Sequence, residues 1–188
     1  MGKGKCTLLF SILFLLAHAT VTLSSAHGQT KGAASMSFTL HSADFANGAE
    51  IPKQFTCSGE DRSPALEWKD APAGTKSFAL IADDPDAPAG TWVHWVIYNI
   101  PATATGLSGG VQKKDKLADG TLQGRNDFGK SGYNGPCPPP GKPHRYFFKL
   151  YALDEVLNVG TGLSKAGLER AMDKHTLGHA EWMGTFRR

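Results

Sequence analysis

Long apolar runs are scarce in this chain. After residue 26 none is long enough to cross a bilayer as a helix, so no stable membrane insertion is expected of that part. Blocks of one charge are scarce too. The 20 Lys and Arg against 17 Asp and Glu leave a formal +3. Aromatic residues do not alternate with Lys or Arg, which excludes an obvious nucleic-acid surface. There is no internal repeat, low-complexity tract or domain-splitting linker, so one domain is expected. No Gly-x-Ser-x-Gly elbow is present and no strong metal motif. His175 and His179 are four apart, but Gly178 lies between them, and Thr176 stands where a zinc-protease helix would carry Glu. No catalytic residue, metal or cofactor is therefore expected, and the chain reads as a non-enzyme. Cysteine is rare as well, at 3 residues.

What is there begins with a leader. Lys3 and Lys5 precede an apolar run from Thr7 to Ala17, and small residues follow at Ala17-His18-Ala19 and Ser24-Ser25-Ala26. This is the layout of a secretory signal peptide over residues 1–26, cut at one of those two sites, and it predicts export to a periplasm or secretion. The rival is an uncleaved anchor, but the run to Leu23 is only marginally long and carries His18 with several Thr and Ser. Cutting after Ala26 leaves 162 residues and removes two lysines and no acid, so the formal charge falls from +3 to +1. Residues 27–35 are small and polar and read as a flexible leader to a domain over 36–188. Cys6 departs with the leader. Cys57 and Cys137 remain, too few for a structural zinc site. In an exported chain they favour one disulfide. A reactive thiol at Cys137 and a pair of buried thiols are the other readings.

The pattern is mostly β. Strands are expected at Ser35 to His41, at Ile51 to Phe55 (with Pro52 near its start), at Lys76 to Ala82, at Trp92 to Ile100, at His144 to Leu153 and at Glu181 to Phe186. Asn47-Gly48 signals a turn. Ser58 to Pro64 reads as a polar loop. Gly106 to Gly132 reads as loops with at most a weak strand at Thr121 to Arg125. The one convincing helix opens at Ser164 as N-cap, with Leu168, Met172 and His175 at helical spacing, and Gly178 is expected to end it.

Chemistry concentrates in two places. Asp83-Asp84-Pro85-Asp86-Ala87-Pro88 follows an apolar strand, and His94 comes soon after. A second cluster holds Gly135-Pro136-Cys137 and His144-Arg145-Tyr146. Alternation places His94 with Trp92, Val96 and Tyr98 on one face of its strand, and Val93, Trp95 and Ile97 on the other. It likewise groups His144 and Tyr146 with Phe148 and Leu150. If both strand starts lie near the Asp84 loop, two imidazoles and a phenol converge on one spot. Imidazole and phenol N–H and O–H groups suit a small anion. The carboxylates would then fix the histidine tautomers or meet a cationic tail on the same ligand.

These stretches resemble the phosphatidylethanolamine-binding protein family, in its prokaryotic Raf-kinase-inhibitor-like branch. Asp84-Pro85-Asp86-Ala87-Pro88 with Trp92 to Pro101 matches one signature, and Gly132 to Pro139 with His144-Arg145-Tyr146 and Leu150 to Leu153 another. Phe55 to Gly59, Ser63 to Trp68 and Met183 to Phe186 fit as well, so the resemblance spans nearly all of the chain beyond the leader. It implies a β-sandwich of antiparallel sheets with one or two short helices, the clearest near the C-terminus. It also implies an anion pocket formed by Asp84, Asp86, His94, Gly135, Pro136, His144 and Tyr146, walled by Trp92. Family pockets accept phosphate, acetate-like anions and phosphoethanolamine head groups, and the expected partner is a small anionic ligand. The eukaryotic members' C-terminal helix over the pocket is not recognisable before Arg188, so their phospholipid and Raf binding are not carried over. The alternative is a protein-interaction module that inhibits a kinase or protease and binds a protein partner through its loops.

Overall fold

The computed structural model describes residues 1–2 and 37–188. Apart from Met1 and Gly2, the expected signal peptide and the 27–35 leader lie outside the described residues. The rest forms eight strands and one α-helix in the order β1 (Thr39–His41), β2 (Leu66–Lys69), β3 (Ser77–Asp84), β4 (Trp92–Pro101), β5 (Gly106–Leu107), β6 (Leu122–Gln123), β7 (His144–Leu153), α1 (Lys165–Met172) and β8 (Thr176–Phe186). All strand pairs are antiparallel: a five-stranded sheet in the order β6-β4-β3-β7-β8, and a three-stranded sheet β1-β2-β5.

Two apolar layers hold these elements. Between the sheets, Leu40, Leu66 and Trp68 pack on Phe78, Leu80, Trp95, Phe148 and Leu150. On the opposite face of the large sheet, Leu168 and Met172 of α1 cover Ala79, Ile81, Val96 and Tyr98. The central strand β3 is therefore buried along its whole length, which is why it reads as a continuous apolar run rather than an alternating one. Each large side chain fully buried there stabilises the fold by about 1.5–3 kcal/mol.

Several expected elements differ. Ile51 to Phe55 is not a strand: Pro52 leads a 3-10 turn, Lys53–Phe55, in which the Phe55 N–H donates to Pro52 O. The proline ring holds φ near −58°, which starts such a turn, and only the Ile51 N–H reaches a strand, at Thr185 O. Gly178 does not end the helix. Ser164 Oγ caps its start from the Gly167 N–H, as expected, but the helix stops at Met172, and Lys174 turns the chain in the left-handed region at φ 68°. Gly178 instead sits within β8, where a Cβ would come within 2.9 Å of the Pro72 ring. His175 lies beyond the helix. Two short strands also appear where none was expected, β2 after the polar loop and β5 at the start of the glycine-rich region.

Cys57 and Cys137 are bonded, with Cα atoms 5.4 Å apart and 80 residues of separation. The bridge ties the loop after the 3-10 turn to the Gly135-Pro136-Cys137 segment, alongside a Cys57 N–H to Pro136 O hydrogen bond of 3.1 Å.

Candidate functional site: an end pocket between three strands

Because β3 runs antiparallel to both neighbours, its C-terminal end meets the N-terminal ends of β4 and β7. Asp84 pairs across from Trp92, and Asp83 from Phe147. That topology joins the two polar clusters at one end of the large sheet. A pocket of about 330 Å³ opens there, within the size range of small-ligand sites. Asp84, His94 and His144 line it together with Trp92, Phe128 and Pro138, while Ala87, Pro88 and Ala89 border it on the Asp-Pro loop. A larger groove of about 860 Å³ follows Leu66 to Lys69 and Thr103 to Gly109. Its only charged side chains are Glu67 and Lys69, so the concentrated chemistry lies in the smaller cavity.

A β-bulge aims His94. Between the pairs Ala82–Trp95 and Asp83–Val93, β3 advances by one residue and β4 by two, so His94 is the extra residue. His94 and Trp95 consequently both face the inter-sheet side. The His94 ring meets Tyr146 edge-on at 5.2 Å, and the Trp95 ring meets Tyr133 at 5.6 Å. His94 keeps Trp92 as a neighbour in the pocket, but Val96 and Tyr98 face the helix side with Val93. Strict alternation had grouped them otherwise. On β7, which is regular, His144, Tyr146, Phe148 and Leu150 share a face as the pattern predicts.

The three clustered carboxylates separate into three roles. Asp83 points to the helix side, fully buried, and accepts from Lys149 Nζ at 2.8 Å and Lys165 Nζ at 2.5 Å, which fastens the first turn of α1 to the sheet. Asp84 lies in the pocket. Its Oδ2 accepts from His144 Nδ1 at 2.8 Å and its Oδ1 from the Asp86 N–H at 2.8 Å. Asp86 turns outward and takes both Nε and Nη2 of Arg145, at 2.9 and 2.8 Å, and the Arg145 N–H at 2.9 Å. These Arg145 hydrogen bonds hold the Asp86 carboxyl down at about 2. Asp86 is thus a brace for the β7 start and not part of the cavity lining.

Both histidines are oriented from behind. His94 Nδ1 is 2.7 Å from Asn134 O, a carbonyl that can only accept, so Nδ1 carries the proton and Nε2 is left free. His144 Nδ1 donates to Asp84 in the same way, and no hydrogen bond among the described residues engages Nε2 of either ring. Burial pushes the His94 imidazole down from its ordinary value, against the Asn134 bond and the Asp84 charge. In its neutral form His94 therefore offers a lone pair at Nε2 and not the N–H donor expected from the sequence. Burial, and then the Asp84 charge, push the Tyr146 phenol up; its buried Oη lies near the Asp84 carboxylate but makes no hydrogen bond of normal length among the described residues. Tyr146 stands behind His94 and does not line the cavity itself.

Gly135 and Pro136 form the wall's backing. A Cβ on Gly135 would lie 2.1 Å from Phe55 O, so only glycine permits the close approach of these two backbones. The Gly135 N–H donates to Asp61 Oδ1 at 2.6 Å and the Asn134 side chain to Asp61 Oδ2 at 2.9 Å. Asp61, which the sequence suggested only as a loop residue, is what positions the carbonyl that fixes His94. Asn126 adds a second support, donating to Gly132 O and Asn134 Oδ1 while its own Oδ1 accepts the Phe128 and Lys130 N–H groups. Neither residue has a signal at the sequence level, since Asp61 acts across 74 positions. Among the described residues there is no group of three or more His, Cys, Asp or Glu placed to hold a metal ion.

A family model described as phosphatidylethanolamine-binding protein matches residues 41–187. A UPF0098 protein of Methanothermobacter thermautotrophicus is 52% identical over 144 residues, covering 77% of this chain and 95% of its own. One from Aquifex aeolicus is 49% identical over 151 residues, covering 79% and 88%. Among solved structures, a phosphatidylethanolamine-binding protein homologue, CT736 from Chlamydia trachomatis, superposes with a TM-score of 0.74 at 40% identity, over 81% of this chain and 98% of that one. YbcL of Escherichia coli, described as a member of the mammalian PEBP family, superposes with a TM-score of 0.75 at 38% identity, over 80% and 98%.

Proposed function

The chain belongs to the phosphatidylethanolamine-binding protein family, and from its end pocket we propose that it is a non-catalytic binding protein for small phosphate-type or carboxylate anions, phosphoethanolamine-like head groups among them. The observation that carries this reading is the convergence of two imidazoles, each tethered through Nδ1 and free at Nε2, on one cavity of about 330 Å³. Tyr146, packed edge-on against His94 behind the cavity, would report ligand binding through that ring. Trp92, Phe128 and Pro138 would pack against the organic part of such a ligand. We also propose that the protein works in an exported, oxidising compartment. The Cys57–Cys137 bond supports this, because disulfides persist there and are rare in reducing cytosol.

The test is an NMR titration of the mature chain with phosphoethanolamine, phosphate and acetate, repeated on His94→Ala. Saturable shifts at His94, His144 and Tyr146 that vanish in the variant are expected. A spectrum unmoved at millimolar ligand would end the anion reading and turn the search to protein partners.

A further inference from the structure

The pocket lacks what most anion sites have. No lysine or arginine lines it, and its one carboxylate, Asp84, is buried. A fully deprotonated oxyanion placed there would meet a like charge and the lone pair of neutral His94. Resting on the anion-pocket reading above, we propose that this pocket selects oxyanions that carry a proton of their own. A monohydrogen phosphate group is held with its P–OH donating to His94 Nε2. An oxyanion without a proton, such as sulfate, enters only when one proton is taken up from solvent onto that nitrogen.

The geometry behind this is the choice of tautomer. Asn134 O cannot donate, so the Nδ1 proton of His94 is committed to the main chain at 2.7 Å and cannot turn toward a ligand. The carbonyl cannot easily swing away, because Asp61 grips both the Gly135 N–H and the Asn134 side chain. The groups around the His94 ring are Asp84 from β3, Asp61 from the loop after the 3-10 turn, Tyr146 from β7, Phe128 from the loop before Ser131, and the Asn134 and Gly135 main chain. His144 shares the pocket, with Nδ1 committed to Asp84. Arg145 is engaged by Asp86 outside the cavity and supplies no donor inside. Burial favours the neutral His94 ring, while both carboxylates favour its protonation, so a ligand that brings a proton avoids that contest.

The experiment is calorimetry of the mature protein with phosphate and with sulfate, at about pH 7.5 and about pH 5.5, in buffers of different ionisation enthalpy so that proton uptake is counted. Phosphate should bind at least about tenfold more tightly than sulfate at the higher pH. Sulfate affinity should rise by about tenfold per pH unit on acidification while the imidazole is neutral, with close to one proton taken up. In His94→Gln the amide nitrogen puts a permanent donor near the Nε2 position, so sulfate binding should lose its pH dependence. Sulfate that binds as well as phosphate in the wild-type protein, with no proton uptake, would overturn proton selection and leave the anion pocket standing. Failure of both anions to bind at either pH would overturn the pocket reading itself, and this inference with it.

Discussion

Replacing both bridged cysteines, Cys57→Ala with Cys137→Ala, tests how much of the site's stability comes from a constraint on the unfolded chain. The bridge closes a loop with a sequence separation of 80 residues, for which the chain-entropy expression gives about 4.5 kcal/mol at 25 °C. Measured disulfides more often contribute about 2–4 kcal/mol, so the expected loss lies between those figures. The folded wall should survive. The Cys57 N–H still reaches Pro136 O, the Gly135 N–H still reaches Asp61, and the tight Gly135–Phe55 contact does not involve sulfur. Urea unfolding is the assay. With a slope of about 2 kcal/mol per molar, the midpoint should fall by about 1–2 M. The slope should steepen, because the open chain exposes more surface than the looped one. Pocket amide shifts in the native spectrum should stay close to those of the wild type. A midpoint shift below about 0.3 M with an unchanged slope would refute the reasoning. So would a collapse of the pocket resonances, which would show the bridge holding the native wall and not restraining the unfolded chain.

Asp83→Ala should cost about 2–4 kcal/mol, read by thermal or urea unfolding. It leaves Lys149 and Lys165 without their buried acceptor and loosens the first turn of α1, although both ammonium groups retain a path to water. A loss under about 0.5 kcal/mol would mean that the triad does not anchor the helix. Arg145→Ala should bring the Asp86 carboxyl from about 2 back toward 3.8 in an NMR carboxyl titration. The sign follows from linkage. A depressed folded carboxyl stabilises the fold above pH 3.8, and that advantage is lost as the pH falls toward 2, so wild type and variant should converge in acid. An Asp86 that still titrates near 2 in the variant would assign its shift to another group.

Much of this protein was legible from local pattern. The β7 strand runs from His144 to Leu153 as its alternation predicts, and β3 and β4 extend past their apolar runs only to Asp84 and Pro101. Ser164 was recognisable as an N-cap because capping is a contact within one turn. Where the local pattern failed, the deciding partner was distant or the glycine had another reason. Gly178 resembles a helix stop but is there to pass beneath Pro72. Val96 and Tyr98 leave the face of His94 because β4 carries an extra residue against β3, and a bulge is a property of a pair of strands that one strand cannot show.

By itself the sequence determined the mostly β character, the family, the two polar clusters and the pair of cysteines available to bond, since these are matters of composition, short-range period and ordered motifs. The tertiary structure decided which way each acid points and which proton each histidine keeps. Asp83, Asp84 and Asp86 are nearly adjacent in the chain, yet they answer to lysines on one face, to His144 in the pocket and to Arg145 outside. His94 owes its tautomer to a carbonyl 40 residues away, held in turn by Asp61. Charge and hydrogen bonding act through space over a few ångströms, and only the antiparallel register of β3 with β4 and β7 brings those groups within that reach.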